Sequence, residues 1–375
     1  MRILIFLFKE LNYNSSQGKN VYHIIIAGGS GARFWPQSRQ EFPKQLLKLV
    51  DNTSMIRLTA DRLLSLSPPE KILIVASKQL CKLIHKEIPE IPRVNFMAEP
   101  SGKNTAPAIG LAAIHVYKRD PDAVMGIYPA DHIISGVAKF KKAISLAKTI
   151  VENKPALVTI GIIPSHPATG YGYIQFDRNN KKNGKMDFRV KTFAEKPPLE
   201  TAKKFLKSGD FLWNSGIFIW KAEIILLEIK TFMPELHESL NAIFDAIETP
   251  QYQVVLDREW EIIVSESIDY GILEKAKNVY TISAEFKWSD MGSWKSLFDF
   301  LKKDKNNNIL KGKTVTIDTS NSLVLSPNRM TALIGVKDLA VINMGDATLV
   351  LPLNRAQDVK EVVTILREIK QEEYL

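Results

Sequence analysis

Cysteine is almost absent: Cys81 is the only one in 375 residues. An intramolecular disulfide is therefore impossible, nothing in the chain resembles a Cys/His metal cluster, and a reducing, cytoplasmic setting is expected. No Lys/Arg-rich block with interleaved aromatics occurs either. The net charge of +9, from 50 Lys+Arg against 41 Asp+Glu, therefore points to small phosphorylated anions ahead of nucleic acid. The apolar stretch 3–8 is too short to cross a membrane and ends in Lys9 and Glu10, so no membrane partner is expected. Residues 1–20 read as an extension of no clear role. Two nucleotide signatures are missing as well. No G-x-x-x-x-G-K-[ST] is present, which excludes a P-loop. The third glycine of G-x-G-x-x-G is lacking, which disfavours a dinucleotide fold.

What is present is GGSGARFWPQSR at 28–39, directly after the apolar run IIIA at 24–27 and followed by PKQ at 43–45. An apolar strand ending in glycines makes a loop whose backbone can wrap a phosphate chain. Glycine permits positive φ and close approach, so N–H groups can converge on an anion. Arg33 and Lys44 add full charges that backbone dipoles lack. The alternative is a tight strand-to-helix turn with no ligand, and the nearby Arg33, Arg39 and Lys44 weigh against it.

Strand-like runs at 24–27, 72–76, 123–128 and 156–160 alternate with helical patterns at 55–66, 79–87, 106–118 and 140–151. That alternation predicts a Rossmann-like α/β unit with a mostly parallel sheet covered on both faces. Ligands bind at the carboxyl ends of such strands, where the 28–39 loop and Asp131 both fall. Past residue 300 the texture changes. A solvated run at 302–308 precedes short β segments at 314–317, 322–325, 332–336, 339–343 and 348–351, which predicts a small β-domain. The tail at 356–370 is helical, with Val359, Val362, Val363, Leu366 and Ile369 on one face. That face is expected to pack on this chain or a sister chain, which keeps a homo-oligomer, a dimer, open. The expected domains are therefore 1–20, 21–300 and 301–375.

Several segments carry chemistry. YPADH at 128–132 places Asp131 at a strand end, and WSDMGSW at 288–294 places Asp290 in a tight turn. Two separated carboxylates suit Mg²⁺ bridging substrate phosphates, because Mg²⁺ takes few protein oxygens and keeps water and phosphate. Either Asp alone equally suits an N-cap or an Asx-turn. His132 reads as a packing neighbour rather than a ligand. FAEKP at 193–197 ends a strand with Pro, so Glu195 and Lys196 can reach one pocket, carboxylate for sugar hydroxyls and ammonium for phosphate; a surface ion pair is the alternative. WNSG at 213–216 and GYGY at 170–173 combine close-approach glycines, Gly172 among them, with aromatic walls and the amide of Asn214. In EPSGKNTAP at 99–107, Asn104 or Thr105 can cap a helix, Lys103 can hold an anion there, and Glu99 can meet a base edge.

Taken in order, these segments closely resemble the sugar-1-phosphate nucleotidylyltransferases, with SIDY at 267–270 as a further matching piece. The likeness runs from about Val21 to the tail. The Trp in RFWP and the NTAP segment resemble the guanylyl branch. Lys103 stands where the family usually has arginine, which removes any bidentate phosphate contact there. The resemblance implies a C-terminal domain of left-handed β-helix type and transfer of GMP from GTP to α-mannose 1-phosphate, releasing pyrophosphate. By that likeness Asp131 and Asp290 hold Mg²⁺. Gly28, Gly29, Gly31, Arg33 and Lys44 bind the triphosphate, with Glu99, Asn104 and Thr105 on the base and ribose side. Lys196 binds the sugar phosphate, and Gly172, Glu195 and Asn214 the sugar. Arg33, Lys44, Asp131, Lys196 and Asp290 carry catalysis. Long relatives add an isomerase domain, so this chain reads as monofunctional. A sister enzyme with another sugar phosphate or nucleotide, or a non-catalytic nucleotide-sugar-binding subunit, stays open at this point.

Overall fold

A computed structural model describes residues 21–29, 31–50, 52–177 and 187–375. The expected extension at 1–20 lies outside the described residues. The strands are β1 (Val21–Ala27), β2 (Ile72–Ser77), β3 (Phe96–Glu99), β4 (Val124–Pro129), β5 (Ile133–Ser135), β6 (Leu157–Ile162), β7 (Tyr173–Phe176), β8 (Asp187–Ala194), β9 (Phe211–Lys221), β10 (Val279–Ala284) and β11 (Lys287–Ser289), then β12 (Ile309–Ile317), β13 (Leu323–Ile334), β14 (Leu339–Asn343) and β15 (Thr348–Pro352).

Among the described residues, nine strands form one sheet in the order β3-β2-β1-β4-β9-β6-β10-β8-β7. The block β3-β2-β1-β4 is parallel throughout, and β6 pairs parallel with β10. Between these blocks β9 runs antiparallel to both β4 and β6. The parallel strands are apolar nearly throughout, as strands covered on both faces must be. Helix α1 (Met55–Leu64), α2 (Lys78–Glu87), α3 (Thr105–Arg119) and α4 (Val137–Asn153) provide the cover. Ser54 and Ser77 cap α1 and α2 by accepting from Arg57 N (3.4 Å) and Leu80 N (3.3 Å). Helix α3 is apolar on nearly every side because it lies between the sheet and the helices Ala222–Phe232 and Pro234–Ala246.

Two pairings position the chemistry. The parallel register Ile26↔Pro129 brings the carboxyl ends of β1 and β4 side by side, so the Gly28 loop and Asp131 are neighbours. The short antiparallel pair β5–β11, with Ser289↔Ile133 and Trp288↔Ile134, then draws Asp290 up beside Asp131 and His132.

Beyond residue 308, β12, β13 and β14 stack in parallel and β15 closes antiparallel on β14, a β-helix-type unit. The helix Val359–Glu368 follows. It packs on this chain: Val359 and Val363 share one apolar core with Phe34 and Trp35 of the Gly28 loop, Trp294, and Leu351. Tyr374 O accepts from Trp35 Nε1 at 2.7 Å, and Arg39 pairs with Asp346 at 3.0 Å. Arg39 thus fastens the loop to the C-terminal unit rather than facing a ligand.

Candidate active site

The Gly28 loop is shaped by its own glycines. Gly29 has φ 86° and Gly31 has φ 68°, both in the left-handed region where side chains are strained. A Cβ on Gly31 would also collide with the Lys44 side chain. Gln45 Nε2 donates to Gly28 O (2.6 Å) and Gly29 O (3.2 Å). Because the peptide is planar, tying the Gly28 carbonyl to Gln45 turns the Gly29 N–H the opposite way. Ser38 Oγ donates to Gly31 O at 2.7 Å.

A cavity of about 390 Å³ opens over this loop, with Gly28, Gly29, Gly31, Arg33, Lys44, Asp131, His132 and Asp290 in its wall. Lys44 is 7% exposed. Its Nζ donates to Asp131 Oδ2 at 2.5 Å and to Asp290 O at 2.8 Å, so one buried ammonium joins both acidic turns. Burial alone pushes the Asp131 carboxyl up, but the Lys44 ammonium and its hydrogen bond outweigh that and hold it below its ordinary range. Asp290 Oδ1 accepts from Gly292 N (3.0 Å) and from Tyr171 Oη (3.2 Å). Burial and the nearby Asp290 charge push the Tyr171 phenol up, so it stays a donor. Burial also lowers His132. A neutral His132 accepts from Trp288 Nε1 at Nδ1 (3.2 Å), which puts its proton on Nε2. Its Nε2 lies 4.0 Å from Asp131 Oδ1.

A second cluster adjoins the first through Tyr171, whose ring meets both Trp213 and Trp288 edge-on. Asn214 N donates to Gly172 O at 2.8 Å, and a Cβ on Gly172 would lie 2.5 Å from Glu195 Oε2. Lys196 adopts φ 44° just past the end of β8, which turns its Nζ back onto Glu195 Oε1 at 2.6 Å. Asn214 is held from both ends. Its Nδ2 donates to Asp269 Oδ1 (2.7 Å), and its Oδ1 accepts from Gly216 N (3.1 Å) and Thr159 Oγ1 (3.3 Å). Burial, helped by Glu195, pushes the Asp269 carboxyl up to about 6.

Glu99, Asn104 and Thr105 lie outside the wall of the 390 Å³ cavity. Asn104 Oδ1 caps α3 at Thr105 N (2.8 Å), and Thr105 Oγ1 accepts from Ile268 N (2.8 Å). Lys103 Nζ donates to Glu261 O at 3.3 Å. Glu99 is 7% exposed at the end of β3, and burial pushes its carboxyl up to about 7 from 4.5. A raised folded-state pKa costs nothing below pH 4.5. The cost grows as pH rises and is complete above the folded value. Glu99→Gln should therefore stabilise the protein by about 1–3 kcal/mol at pH 8.5 and by nothing at pH 4.5. Thermal melts across that range read it, and a difference independent of pH would show that the Glu99 charge is compensated.

Tyr171 and Asp269 lie in segments already singled out, but their roles come from partners far away in sequence; Lys360, from the C-terminal helix, was not singled out and lines the cavity. The SIDY segment at 267–270 held Asp269, but only its contact with Asn214 gives it a role.

The two carboxylates present hard oxygen donors at one cavity wall, which suits a hard divalent cation that completes its shell with phosphate and water. Among the described residues, no cluster of three or more potential ligands occurs. No described helix is long and apolar enough to cross a membrane.

The nucleotidyl transferase family model matches residues 22–307, and the MannoseP isomerase/GMP-like beta-helix domain model matches 312–366. A mannose-1-phosphate guanylyltransferase of Klebsiella pneumoniae is 34% identical over 354 residues, covering 94% of this chain and 75% of the relative. One from Escherichia coli strain K12 is 34% identical over 351 residues, covering 92% and 73%. Among solved structures, one described as mannose-1-phosphate geranyltransferase from Thermus thermophilus superposes with a TM-score of 0.84 at 28% identity, covering 93% of this chain and 99% of that one.

Proposed function

The chain belongs to the nucleotidyl transferase family, and from that premise we propose that it transfers GMP from GTP to α-D-mannose 1-phosphate, giving GDP-mannose and pyrophosphate. The observation that carries this reading is one cavity that joins a glycine loop, Arg33, Lys44 and two strand-end carboxylates. The curated relatives named for this activity support the choice of GTP and mannose 1-phosphate. A cytoplasmic protein with residues 21–300 as the catalytic domain and 301–375 as the C-terminal domain is part of the same proposal.

The nucleophile needs no general base. A phosphate monoester has a second pKa of about 6, so near neutral pH it is largely dianionic. One of its oxygens attacks the α-phosphorus of GTP in line, and the bond to the bridging oxygen of pyrophosphate breaks. The obstacle is the repulsion between two anions. The backbone of Gly28, Gly29 and Gly31 cradles the triphosphate, and Arg33 and Lys44 neutralise it. Lys44 also holds Asp131 and the Asp290 turn at a fixed spacing. Lys196 receives the sugar phosphate, while Glu195, Gly172 and Asn214 face the sugar. Asn214 presents a fixed face because Asp269, Thr159 and Gly216 set its amide. Glu99, Asn104 and Thr105 are assigned to the base and ribose side. Asp131 and Asp290 would hold Mg²⁺, which when bound neutralises phosphate charge and aligns the reacting groups.

Pyrophosphate release tests the reading, with GTP, ATP, UTP, dTTP and CTP crossed against mannose, glucose and N-acetylglucosamine 1-phosphates. Release confined to GTP with mannose 1-phosphate establishes donor and acceptor. Another productive pair keeps the fold but overturns the pocket assignment, and silence from folded, GTP-binding protein overturns catalysis. Within this scheme Lys196→Ala should raise the apparent KM for mannose 1-phosphate by about tenfold, the loss of one charge-assisted contact, and leave that for GTP near its original value. An equal rise in both would remove Lys196 from the sugar-phosphate role.

A further inference from the structure

The cavity holds a cation that no motif announced. Lys360 is the second residue of the helix Val359–Glu368, one position past the buried Val359. Helical geometry separates successive residues by about 100°, so Lys360 leaves the core face on which Val359 and Val363 lie. The helix packs against the Ala32–Phe34 turn of the glycine loop. Lys360 thereby becomes part of the cavity wall with Gly29, Arg33, Lys44, Asp131 and Asp290. Its position is not left to a mobile tail. Val359 and Val363 are packed in the same core as Phe34, Trp35 and Trp294, and Trp35 Nε1 donates to Tyr374 O at 2.7 Å beyond the helix end.

The balance of charge gives this lysine its meaning. Arg33 and Lys44 are matched by Asp131 and Asp290, and Lys44 is already engaged with Asp131 at 2.5 Å. Lys360 is thus the residue that turns a balanced cavity positive, and among the described residues its ammonium makes no ion pair. An exposed, uncommitted lysine on a helix that is itself rigidly docked is poised for an anion that arrives from solvent.

We propose that Lys360 is a phosphate-binding residue supplied by the C-terminal unit to the nucleotidyl-transfer site, contacting the polyphosphate of the bound nucleotide and of the pyrophosphate product. The C-terminal unit is then part of the active site and not only a support for it. This rests on the proposed nucleotide reading, and the test separates the two.

Lys360→Gln, Lys360→Glu and Lys360→Arg are compared with the wild type in the full-length chain. The readouts are the apparent KM for GTP, the KM for mannose 1-phosphate, and direct titration with inorganic pyrophosphate in the presence of Mg²⁺. Lys360→Gln should weaken GTP and pyrophosphate about tenfold each and Lys360→Glu more, with the mannose 1-phosphate KM within about twofold of wild type. Lys360→Arg should recover most of the loss. Melting temperatures should stay at the wild-type value, because the side chain lies outside the core. Wild-type pyrophosphate affinity in Lys360→Gln overturns the inference, as does a uniform rise in both KM values. If wild-type protein binds pyrophosphate through Lys360 yet does not turn over GTP with mannose 1-phosphate, the substrate reading fails and the Lys360 assignment stands.

Discussion

Asp131→Asn is expected to lower kcat by about 10³, equivalent to roughly 4 kcal/mol of transition-state stabilisation, in a protein that remains folded. The substitution is nearly isosteric. Lys44 Nζ keeps the Asp290 carbonyl at 2.8 Å and gains the Asn carbonyl in place of Asp131 Oδ2, so its hydrogen bonds survive while its counter-charge does not. The folding cost is therefore on the order of 1–2 kcal/mol, smaller than the effect on rate. A further consequence follows from the assignment of Asp131 as a metal ligand. Half-maximal activity of the variant should need much more Mg²⁺ than the wild type, with mannose 1-phosphate affinity little changed. A folded variant within about tenfold of wild-type kcat, at unchanged Mg²⁺ demand, would remove Asp131 from the metal role. Removal of divalent cation from the wild type by chelation should abolish turnover in the same assay.

How much of this site could be read from the chain depends on the range of the interaction involved. The glycine loop is legible because its constraint is local: Gly29 and Gly31 sit at positive φ, and the preceding Ile-rich run can only be a strand. The ends of β1 and β4 follow from strand-helix alternation, so Asp131 was findable. Its meeting with Asp290 was implied by the resemblance, but spacing alone could not show it, because it depends on the three-residue strands β5 and β11 pairing in a small sheet of their own. A three-residue strand carries too little periodicity to be recognised. β9 is hidden for a different reason: it is 11 residues long, but its aromatic segment reads as a ligand wall. In the structure it is an antiparallel strand separating two parallel blocks. Asp269 and Tyr171 show the limit most clearly. Each matters through one hydrogen bond to a residue 55 or 119 positions away. Lys360 sat in plain view on an amphipathic helix, yet its surroundings come wholly from tertiary packing against the Ala32–Phe34 turn.

Trp294→Ala is expected to cost about 3–5 kcal/mol and also to impair substrate use by the molecules that remain folded. Trp294 is fully buried. Its ring meets Phe34 edge-on at 4.9 Å, and its Nε1 donates to Trp35 O at 3.1 Å. Phe34 and Trp35 belong to the segment that carries Gly31 and Arg33, and the same core holds Val359 and Val363 beside Lys360. One cavity left by this indole therefore loosens the glycine loop and the C-terminal helix together. Trp220 is the control. It is equally buried, but it packs in the core on one face of the sheet and pairs with Met125 near the start of β4, at the end away from the loop. Trp220→Ala should lose similar stability and keep the wild-type KM for GTP at a temperature well below its melting point. Trp294→Ala, under the same conditions, should raise the GTP KM and lower kcat at once, because interdomain packing and phosphate binding draw on the same side chains. Identical kinetics for the two variants would mean that the shared core supports the fold alone and that the loop keeps its shape without it.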